Sequence, residues 1–352
     1  MAPSSGFTLA RAREPMMRVL PLALGFALAG LVACEHAQPF GASPADPNQP
    51  FSSAFPRQLT FSAGPDLAPA WLPEGSGIVY SFALLRADND RCLGILPAEG
   101  GHQLRAICHV PLEFDADSTN ALWEPAVGPS GALAYLRESS LPGSLAPHSR
   151  EIVVASLTVP DPGRVVVRLP YTAPDGLLHA SASHLHWVNA TTLVYRAEQV
   201  IYYTNGGFAD TLVSPLEIVR ADFAGDSTVL TVVPGTANAT SLTVDSSGAI
   251  IYTLVGDTRV YRVDPVSGVS GALYDFGNAG IPSDVQVSGK VLVAMIGGHL
   301  ARATVGDTVV VLIPSPDPAQ LVLRPALAPS GARVVIELSG SDPSNLWLLQ
   351  VP

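Results

Sequence analysis

Three histidines near the middle of the chain, His179, His184 and His186, have the residue type and spacing to do chemistry. One residue separates His184 from His186, so the alternation of side chains along a β-strand would place both on one face. A His-x-His pair of this kind can bind a divalent metal, and either imidazole can transfer protons near neutral pH. A second interpretation treats the same residues as polar groups that solvate a water-filled channel.

The elements that must position these histidines are predicted by a phrase that recurs six times. Each copy has an apolar strand, a turn rich in Gly, Ser or Pro, and a second apolar strand that often ends in Tyr. Copies are spaced by about 40 to 60 residues and are followed by further strand-like runs, which is typical of four-stranded β-propeller blades. The turns of the copies are marked by Gly75, Gly131, Thr191, Gly248, Gly289 and Gly331.

The two ends of the repeat region predict how such a ring closes. Residues 57–61 form a strand-like run ahead of the first copy, and the last copy, from about residue 321, is one strand short of four. Pairing of the first strand with the last blade would leave no free sheet edge in the ring. We therefore predict an all-β fold, a six-bladed β-propeller of four-stranded blades over residues 56–352.

Alignment of the copies brings further ionisable residues to the position of His184. The residues just ahead of the phrase are Ala68, Glu124, His184, Ser241, Pro282 or Ser283, and Arg324. Because equivalent inner strands face the central channel, Glu124, His184, His186 and Arg324 are predicted to form a ligand site at one channel mouth. The site would take a small ligand or a peptide, or hold a metal for acid–base chemistry, unless these residues only solvate the channel.

The repeat region resembles the TolB-like β-propellers in two sequence features. Arg-Gln-Leu-Thr at 57–60 precedes Pro-Ala-Trp at 69–71, as in the repeat of that family, and the likeness covers nearly all of residues 56–352. The following turn reads Pro-Glu-Gly at 73–75, where the family has Pro-Asp-Gly. The resemblance implies a protein-interaction role in the cell envelope.

The N-terminal residues predict export and attachment to a membrane. Residues 1–33 combine a basic stretch with an apolar run that is short for a membrane span, as in an export signal. Leu31-Val32-Ala33-Cys34 resembles the lipobox of bacterial lipoproteins, which implies lipidation of Cys34 and anchoring to a membrane surface. An ordinary secretory signal is the alternative. The Pro-rich residues 34–55 are expected to form a tether, which leaves the propeller on the periplasmic or cell-surface side of the bacterial envelope.

The remaining cysteines, Cys92 and Cys108, lie in two strand-like runs on either side of Gly100. A hairpin folded about Gly100 would place the two cysteines directly opposite each other. An exported protein meets an oxidising compartment, so we predict a disulfide between them. Two buried thiols or a metal pair are the alternatives, although no Cys-x-x-Cys spacing supports zinc.

Composition and missing motifs narrow the functional classes. The chain has a formal net charge of −11 and 14% charged residues, and Lys290 is its only lysine, so a basic surface for nucleic acid is not expected. The sequence has no Gly-x-Ser-x-Gly, phosphate-binding loop, dinucleotide fingerprint or His-Glu-x-x-His motif. We therefore expect no enzyme activity, no cofactor and no nucleic-acid partner.

The predicted function is that of a lipid-anchored scaffold, monomeric, which binds an envelope protein, a peptide or another ligand. The segments 136–151 and 204–218 are candidate recognition loops, because loops on a rigid scaffold commonly carry binding. Core packing between blades is expected for Trp71, Trp123, Trp187 and Trp347. The alternative function is a propeller hydrolase or lyase with a metal or acid–base site at the channel mouth.

Overall fold

The computed structural model describes residues 56–83, 90–109, 119–140, 149–169, 171–172, 176–205, 208–213, 215–340 and 343–352. All of them belong to one compact unit, Ala42–Pro352. The predicted export signal at 1–33, Cys34 and the tether at 34–55 lie outside the described residues. Among those described, no helix combines the length and the apolar character needed to cross a membrane.

The first half of the chain forms three blades, preceded by β1 (Arg57–Gln58). Blade 1 consists of β2 (Asp66–Trp71), β3 (Gly77–Phe82), β4 (Cys92–Pro97) and β5 (Arg105–Ile107). Blade 2 consists of β6 (Thr119–Val127), β7 (Ala132–Ser140), β8 (Ser149–Ser156) and β9 (Val159–Leu169). Blade 3 consists of β10 (Tyr171–Thr172), β11 (Gly176–Asn189), β12 (Thr192–Asn205), β13 (Phe208–Val213), β14 (Glu217–Ala224) and β15 (Ser227–Val232).

The second half forms three further blades. Blade 4 consists of β16 (Ala239–Val244), β17 (Ile250–Leu254), β18 (Arg259–Val263) and β19 (Ser270–Asp275). Blade 5 consists of β20 (Pro282–Ser288), β21 (Val291–Ile296), β22 (His299–Thr304) and β23 (Val311–Ile313). Blade 6 contains β24 (Leu321–Leu327), β25 (Arg333–Ser339) and β26 (Asn345–Gln350). Two short 3-10 turns also occur in the described residues: Pro129–Gly131 in blade 2, and Gly277–Ala279 between blades 4 and 5.

The ring closes between the two ends of the propeller, as predicted. β1 pairs antiparallel with β26, with Arg57 opposite Leu348 and Gln58 opposite Trp347, so that β1 becomes the fourth strand of blade 6. The first strands of neighbouring blades contact one another around the ring, including β2 with β24. The chain is thus an all-β, six-bladed β-propeller, and the predicted fold class is confirmed.

Hydrophobic side chains fill the spaces between neighbouring blades. The described residues form six buried clusters, and each cluster joins two adjacent blades. The second strand of each blade is covered on both faces, which explains why β3 and β21 are almost wholly buried. Indole N–H groups add bonds between blades: Trp71 donates to the Ala326 carbonyl at 2.8 Å and Trp187 to the Ala126 carbonyl at 3.1 Å. Trp123 and Trp347 are partly buried against two of the clusters.

The predicted disulfide joins Cys92 and Cys108 at a Cα–Cα distance of 4.5 Å. It ties the start of β4 to the residue that follows β5. The register of this hairpin, with Leu93 opposite Ile107, is the register expected for a fold about Gly100. The prediction of a disulfide is therefore confirmed.

Blade 3 departs from the four-stranded plan. Its strands β11 and β12 are 14 residues long, so they extend beyond β14 and pair there with β10 and β13. Part of the predicted recognition loop 204–218 is therefore strand β13. The hairpin signal Asn-Gly-Gly at 205–207 in the sequence is consistent with this pairing.

Candidate functional site

A β-bulge interrupts the first strand of all six blades, and in five of them the bulge contains a non-glycine residue with a positive φ value. At each bulge the register shifts so that one extra residue enters the first strand relative to its partner, as between Trp123 and Ala126 or between Ser183 and His186. The bulge residues have positive φ values, which are uncommon outside glycine and are retained where packing or function demands them. They are Ala68 (50°), Glu124 (47°), His184 (53°), Asp284 (47°) and Arg324 (45°).

Four of these bulge residues are charged or ionisable and meet in two pairs. Arg324 Nη1 lies 2.6 Å from Glu124 Oε1, which joins blade 6 to blade 2. His184 Nε2 lies 3.0 Å from Asp284 Oδ1, which joins blade 3 to blade 5. We call Glu124, His184, Asp284 and Arg324 the charged ring.

Each pair of the charged ring skips one blade, and the skipped blade has a small residue at the equivalent place. Blade 1 has Ala68 between the blades of Arg324 and Glu124, and blade 4 has Ser241 between those of His184 and Asp284. Ser241 is fully buried, and its hydroxyl bonds the Thr253 hydroxyl at 2.7 Å and accepts the N–H of Val285 at 3.2 Å. The small side chains leave the room in which the longer ones meet.

Backbone and hydroxyl groups link the two pairs to each other and to the sheet. The N–H of His184 donates to Glu124 Oε2 at 3.1 Å, so both carboxylate oxygens of Glu124 are engaged. His184 Nδ1 lies 3.1 Å from the hydroxyl of Ser183, which also accepts from Arg196 Nε at 3.0 Å. Arg196 in turn donates to the carbonyl of Thr240 in blade 4 at 2.7 Å. The charged ring is therefore held in a fixed arrangement.

The pKa values of the ring follow from burial and from these pairs. Burial alone would raise the pKa of Glu124, but Arg324 and His184 hold it below its usual range. Burial would likewise raise the pKa of Asp284. The hydrogen bond to His184 and the positive charge of Arg324 lower it instead. Glu124 raises the pKa of Arg324. Both carboxylates are therefore ionised at neutral pH, which makes Glu124 a poor general acid there.

A cavity of about 730 Å³ begins at the charged ring and runs along the first strands to the turns that follow them. We call it the axial cavity. All six blades line it. Above the ring its wall includes the side chains of Trp71, Trp187 and Val127, and exposed prolines from three adjacent blades stand at its rim: Pro73, Pro129 and Pro329. Its volume lies within the range of ligand sites, about 300–1,000 Å³.

His186 lines the same cavity near His184, but it is not placed there by the alternation of a regular strand. The bulge at His184 breaks that alternation. Leu185 and Trp187, on either side of His186, lie in the core between blades 2 and 3, whereas His186 lies against the backbone of Leu242 in blade 4. Among the described residues, no three His, Cys, Asp or Glu side chains are arranged to hold a metal ion. The side chain of His179 lies outside the described part of the structure.

The stability of the fold is expected to depend on the protonation of His186. Burial, together with the nearby His184, lowers the pKa of His186 to about 4. The unfolded chain therefore binds more protons at this residue between about pH 6.5 and pH 4, and the free energy of unfolding falls as the pH is lowered through that range. Relative to wild type, His186→Gln should gain on the order of 2 kcal/mol between pH 7 and pH 4.

Urea unfolding of both proteins at each pH measures this difference. The comparison is made against wild type at the same pH because burial raises the pKa of Asp66 to about 7, which gives the opposite pH dependence over the same range. Two parallel curves of stability against pH for wild type and His186→Gln would show that the imidazole does not titrate with folding.

Asp284 is the functional candidate that the alignment of the sequence copies missed. The alignment pointed to Pro282 or Ser283, but the bulge of β20 lies one or two residues later, at Asp284. The residue that directly precedes the repeated phrase is Glu124 in blade 2, His184 in blade 3 and Asp284 in blade 5. Strict use of that position would have found Asp284. In blade 4 the register shift falls at Thr240, next to the predicted Ser241.

Fold and site together define the protein as a six-bladed β-propeller with a charged ring at the inner end of an axial cavity. No protein-family model and no curated protein sequence matches the chain. Among solved structures, a gluconolactonase from Xanthomonas campestris is 15% identical with a TM-score of 0.52, and the match covers 84% of this chain and 90% of that one. A provisionally named gluconolactonase is 13% identical with a TM-score of 0.50, over 84% and 92% of the two chains.

TolB from Acinetobacter baumannii is 15% identical with a TM-score of 0.49, over 85% of this chain and 65% of that one. The chain therefore spans about two thirds of the TolB chain that it matches. Identities of this size establish the fold and leave the function to be argued from the site.

Proposed function

We propose that the protein is a lipid-anchored binding scaffold of the bacterial cell envelope, and that the axial cavity is where it binds its ligand or protein partner. The observation that carries this proposal is the pairing within the charged ring beneath an open cavity. All four side chains of the ring already have a partner, which suits a preorganised polar surface for recognition. A catalytic acid or nucleophile would need a group free to react with the substrate.

The anchor in this proposal rests on the sequence. The lipobox-like Leu31-Val32-Ala33-Cys34 and the Pro-rich tether at 34–55 support attachment through lipid on Cys34. A net charge of −11 disfavours direct adsorption of the propeller to anionic lipid, so the lipid would be the main attachment. The resulting arrangement presents the axial cavity to partners in the envelope.

Photo-crosslinking from the cavity rim tests the proposal. A photoreactive amino acid at Ser246, an exposed residue of the axial cavity, should give specific adducts in native membranes. The matched control is Ser270, another exposed serine, on β19, the outer strand of the same blade. Adducts from position 246 and none from position 270 are expected, with loss of membrane-bound adducts in Cys34→Ser. Equal labelling from both positions, or none from position 246, would contradict the proposal.

A second candidate function, a hydrolase or lyase, is favoured by the contact between His184 and Asp284. A carboxylate 3.0 Å from an imidazole nitrogen can orient the ring and stabilise its protonated form, as a general base requires. In this alternative His184 would be the acid–base residue. A stoichiometric divalent ion in the purified protein, lost together with turnover in His184→Ala, would favour the enzyme over the scaffold.

A further inference from the structure

We infer that the ligand of the axial cavity carries a carboxylate group, which Arg324 binds, and an apolar body that packs against the cavity wall. This inference rests on the proposed function, because it names the chemical class of ligand for the same cavity. It is carried by the hydrogen-bonding capacity of the ring, the balance of charge around it and the chemistry of the wall.

Arg324 is the member of the charged ring with donors to spare. Its side chain is 43% exposed, compared with 16% for Glu124, 20% for His184 and 28% for Asp284. Among the described residues its guanidinium makes one hydrogen bond, from Nη1 to Glu124, although a guanidinium has five N–H donors. The planar fork of the remaining donors matches a carboxylate, which it can bind through two parallel bonds.

The charges around Arg324 are balanced, so a bound anion is not excluded by repulsion. Three arginines, Arg324, Arg196 and Arg91, offset three carboxyl groups, those of Glu124, Asp284 and Glu337, and burial raises the pKa of Glu337, which further reduces the negative charge. Glu124 is engaged through both oxygens, and Asp284 is bonded to His184. The chain as a whole has a net charge of −11, so this end of the cavity is less repulsive to an anion than the average surface.

The wall above the ring suits an apolar group attached to that carboxylate. Trp71 and Trp187, from blades 1 and 3, and Val127 and Leu327, from blades 2 and 6, all line the cavity. Prolines at the rim present rigid apolar surface on the side of blades 6, 1 and 2. An organic acid with an aromatic or aliphatic body would bury apolar area here, worth about 25 cal/mol per Å².

Two sources supply this chemistry: a free organic acid and the C-terminal residue of a polypeptide. Three small probes with the same aromatic body first test whether binding depends on a carboxylate. N-acetyl-phenylalanine carries the carboxylate, N-acetyl-phenylalaninamide has the same body without charge, and phenylalaninamide has that body with a positive charge. N-acetyl-Gly-Ser-Phe with a free C-terminus and its C-terminal amide then represent a polypeptide end.

Binding of each probe to the full chain is measured by saturation-transfer NMR and calorimetry in low salt. The free carboxylates are expected to bind about tenfold more tightly than their amides. If only the peptide carboxylate binds, the source is a polypeptide C-terminus, and if only the single amino acid binds, it is a small acid. Equal binding of acid and amide, tighter binding of the cationic probe, or no detectable carboxylate binding at 10 mM would each overturn the inference.

Variants with opposite expected signs connect the binding to Arg324. Arg324→Gln should remove the preference for carboxylate, and Glu124→Gln should strengthen carboxylate binding about threefold or more because it removes the competing negative charge. The double variant Arg324→Gln/Glu124→Gln removes both charges of this pair and should also lack the preference. Arg259→Gln is the matched control. Arg259 has 49% exposure, does not line the cavity, and forms an ion pair with Asp257 at a distance of 2.8 Å.

The results separate this inference from the proposed function. Specific photo-adducts from position 246 combined with no carboxylate preference would overturn the carboxylate assignment and leave the cavity as the binding site. Absence of both adducts and probe binding would overturn both. A preference for carboxylate that survives in Arg324→Gln would also overturn the role of this residue.

Discussion

Leu59→Pro is expected to lower the free energy of unfolding by about 4 to 6 kcal/mol, which is a large part of the 5 to 15 kcal/mol of a typical domain. Leu59 is 2% exposed and packs in the cluster between blades 1 and 6 with Trp71. Its N–H donates to the carbonyl of Leu346 at 2.8 Å, next to the β1–β26 pairing that closes the ring. Proline removes that donor as well as part of the buried side chain.

Leu59→Ala is the matched control, because it truncates the side chain and keeps the backbone donor. We expect it to cost about 2 to 4 kcal/mol, less than the proline variant. Urea unfolding followed by tryptophan fluorescence measures both. If the alanine and proline variants unfold at the same urea concentration, the backbone bond to Leu346 contributes nothing to ring closure.

Replacement of both Cys92 and Cys108 by alanine is expected to lower the free energy of unfolding by about 3 kcal/mol. The disulfide joins residues 16 positions apart in sequence. Its removal raises the conformational entropy of the unfolded chain, which stabilises the unfolded state relative to the folded one. Thermal and urea unfolding of the oxidised wild type and of the double variant measure the change.

A reductant separates the covalent bond from the packing of the two side chains. Dithiothreitol should lower the stability of the wild type towards that of the double variant and leave the variant unchanged. Cys34→Ala serves as the control for the third cysteine and should respond like the wild type. An unfolding midpoint of the wild type that does not move on reduction would contradict the prediction.

The division into blades was predictable because each blade repeats the same local pattern, a turn between its first and second strands. Turns between the first and second strands need residues that tolerate positive φ, and Gly75, Gly131, Gly248, Gly289 and Gly331 all have such values. In blade 3 the same turn is held differently, by the Asn189 side chain, which accepts the N–H of Thr191 at 2.9 Å. Ring closure followed from the same reasoning, because blade 6 lacked a strand and residues 57–61 supplied one.

The candidate site was only partly predictable, because bulges shift side chains in ways that periodicity does not show. Glu124, His184 and Arg324 were found by alignment of the copies, and the structure brings them together. Asp284 was missed because the alignment took Pro282 or Ser283, although Asp284 is the residue that directly precedes the copy in blade 5. The bulge at His184 also changes how His186 is placed relative to it, since one extra residue reverses the face on which later residues lie.

The long strands of blade 3 were missed for a different reason. Residues 204–218 contain Gly-Gly at 206–207 and Ser-Pro at 214–215, and these turn residues suggested a loop. Pairing with β12 over Phe208–Val213 outweighs that local composition, because a strand next to an existing sheet gains a ladder of backbone bonds. Tertiary pairing of this kind leaves little signal in composition.

The pairing of β1 with β26 makes the order of synthesis matter. The hydrogen bond from the Leu346 N–H to the Thr60 hydroxyl joins residues 286 positions apart, so the ring stays open until Leu346 has emerged from the ribosome. Contacts of such long range slow folding, and strand edges that wait for a partner are prone to aggregate. Until then β1 has no strand to pair with, and a nascent chain in this state would be a natural substrate for chaperones.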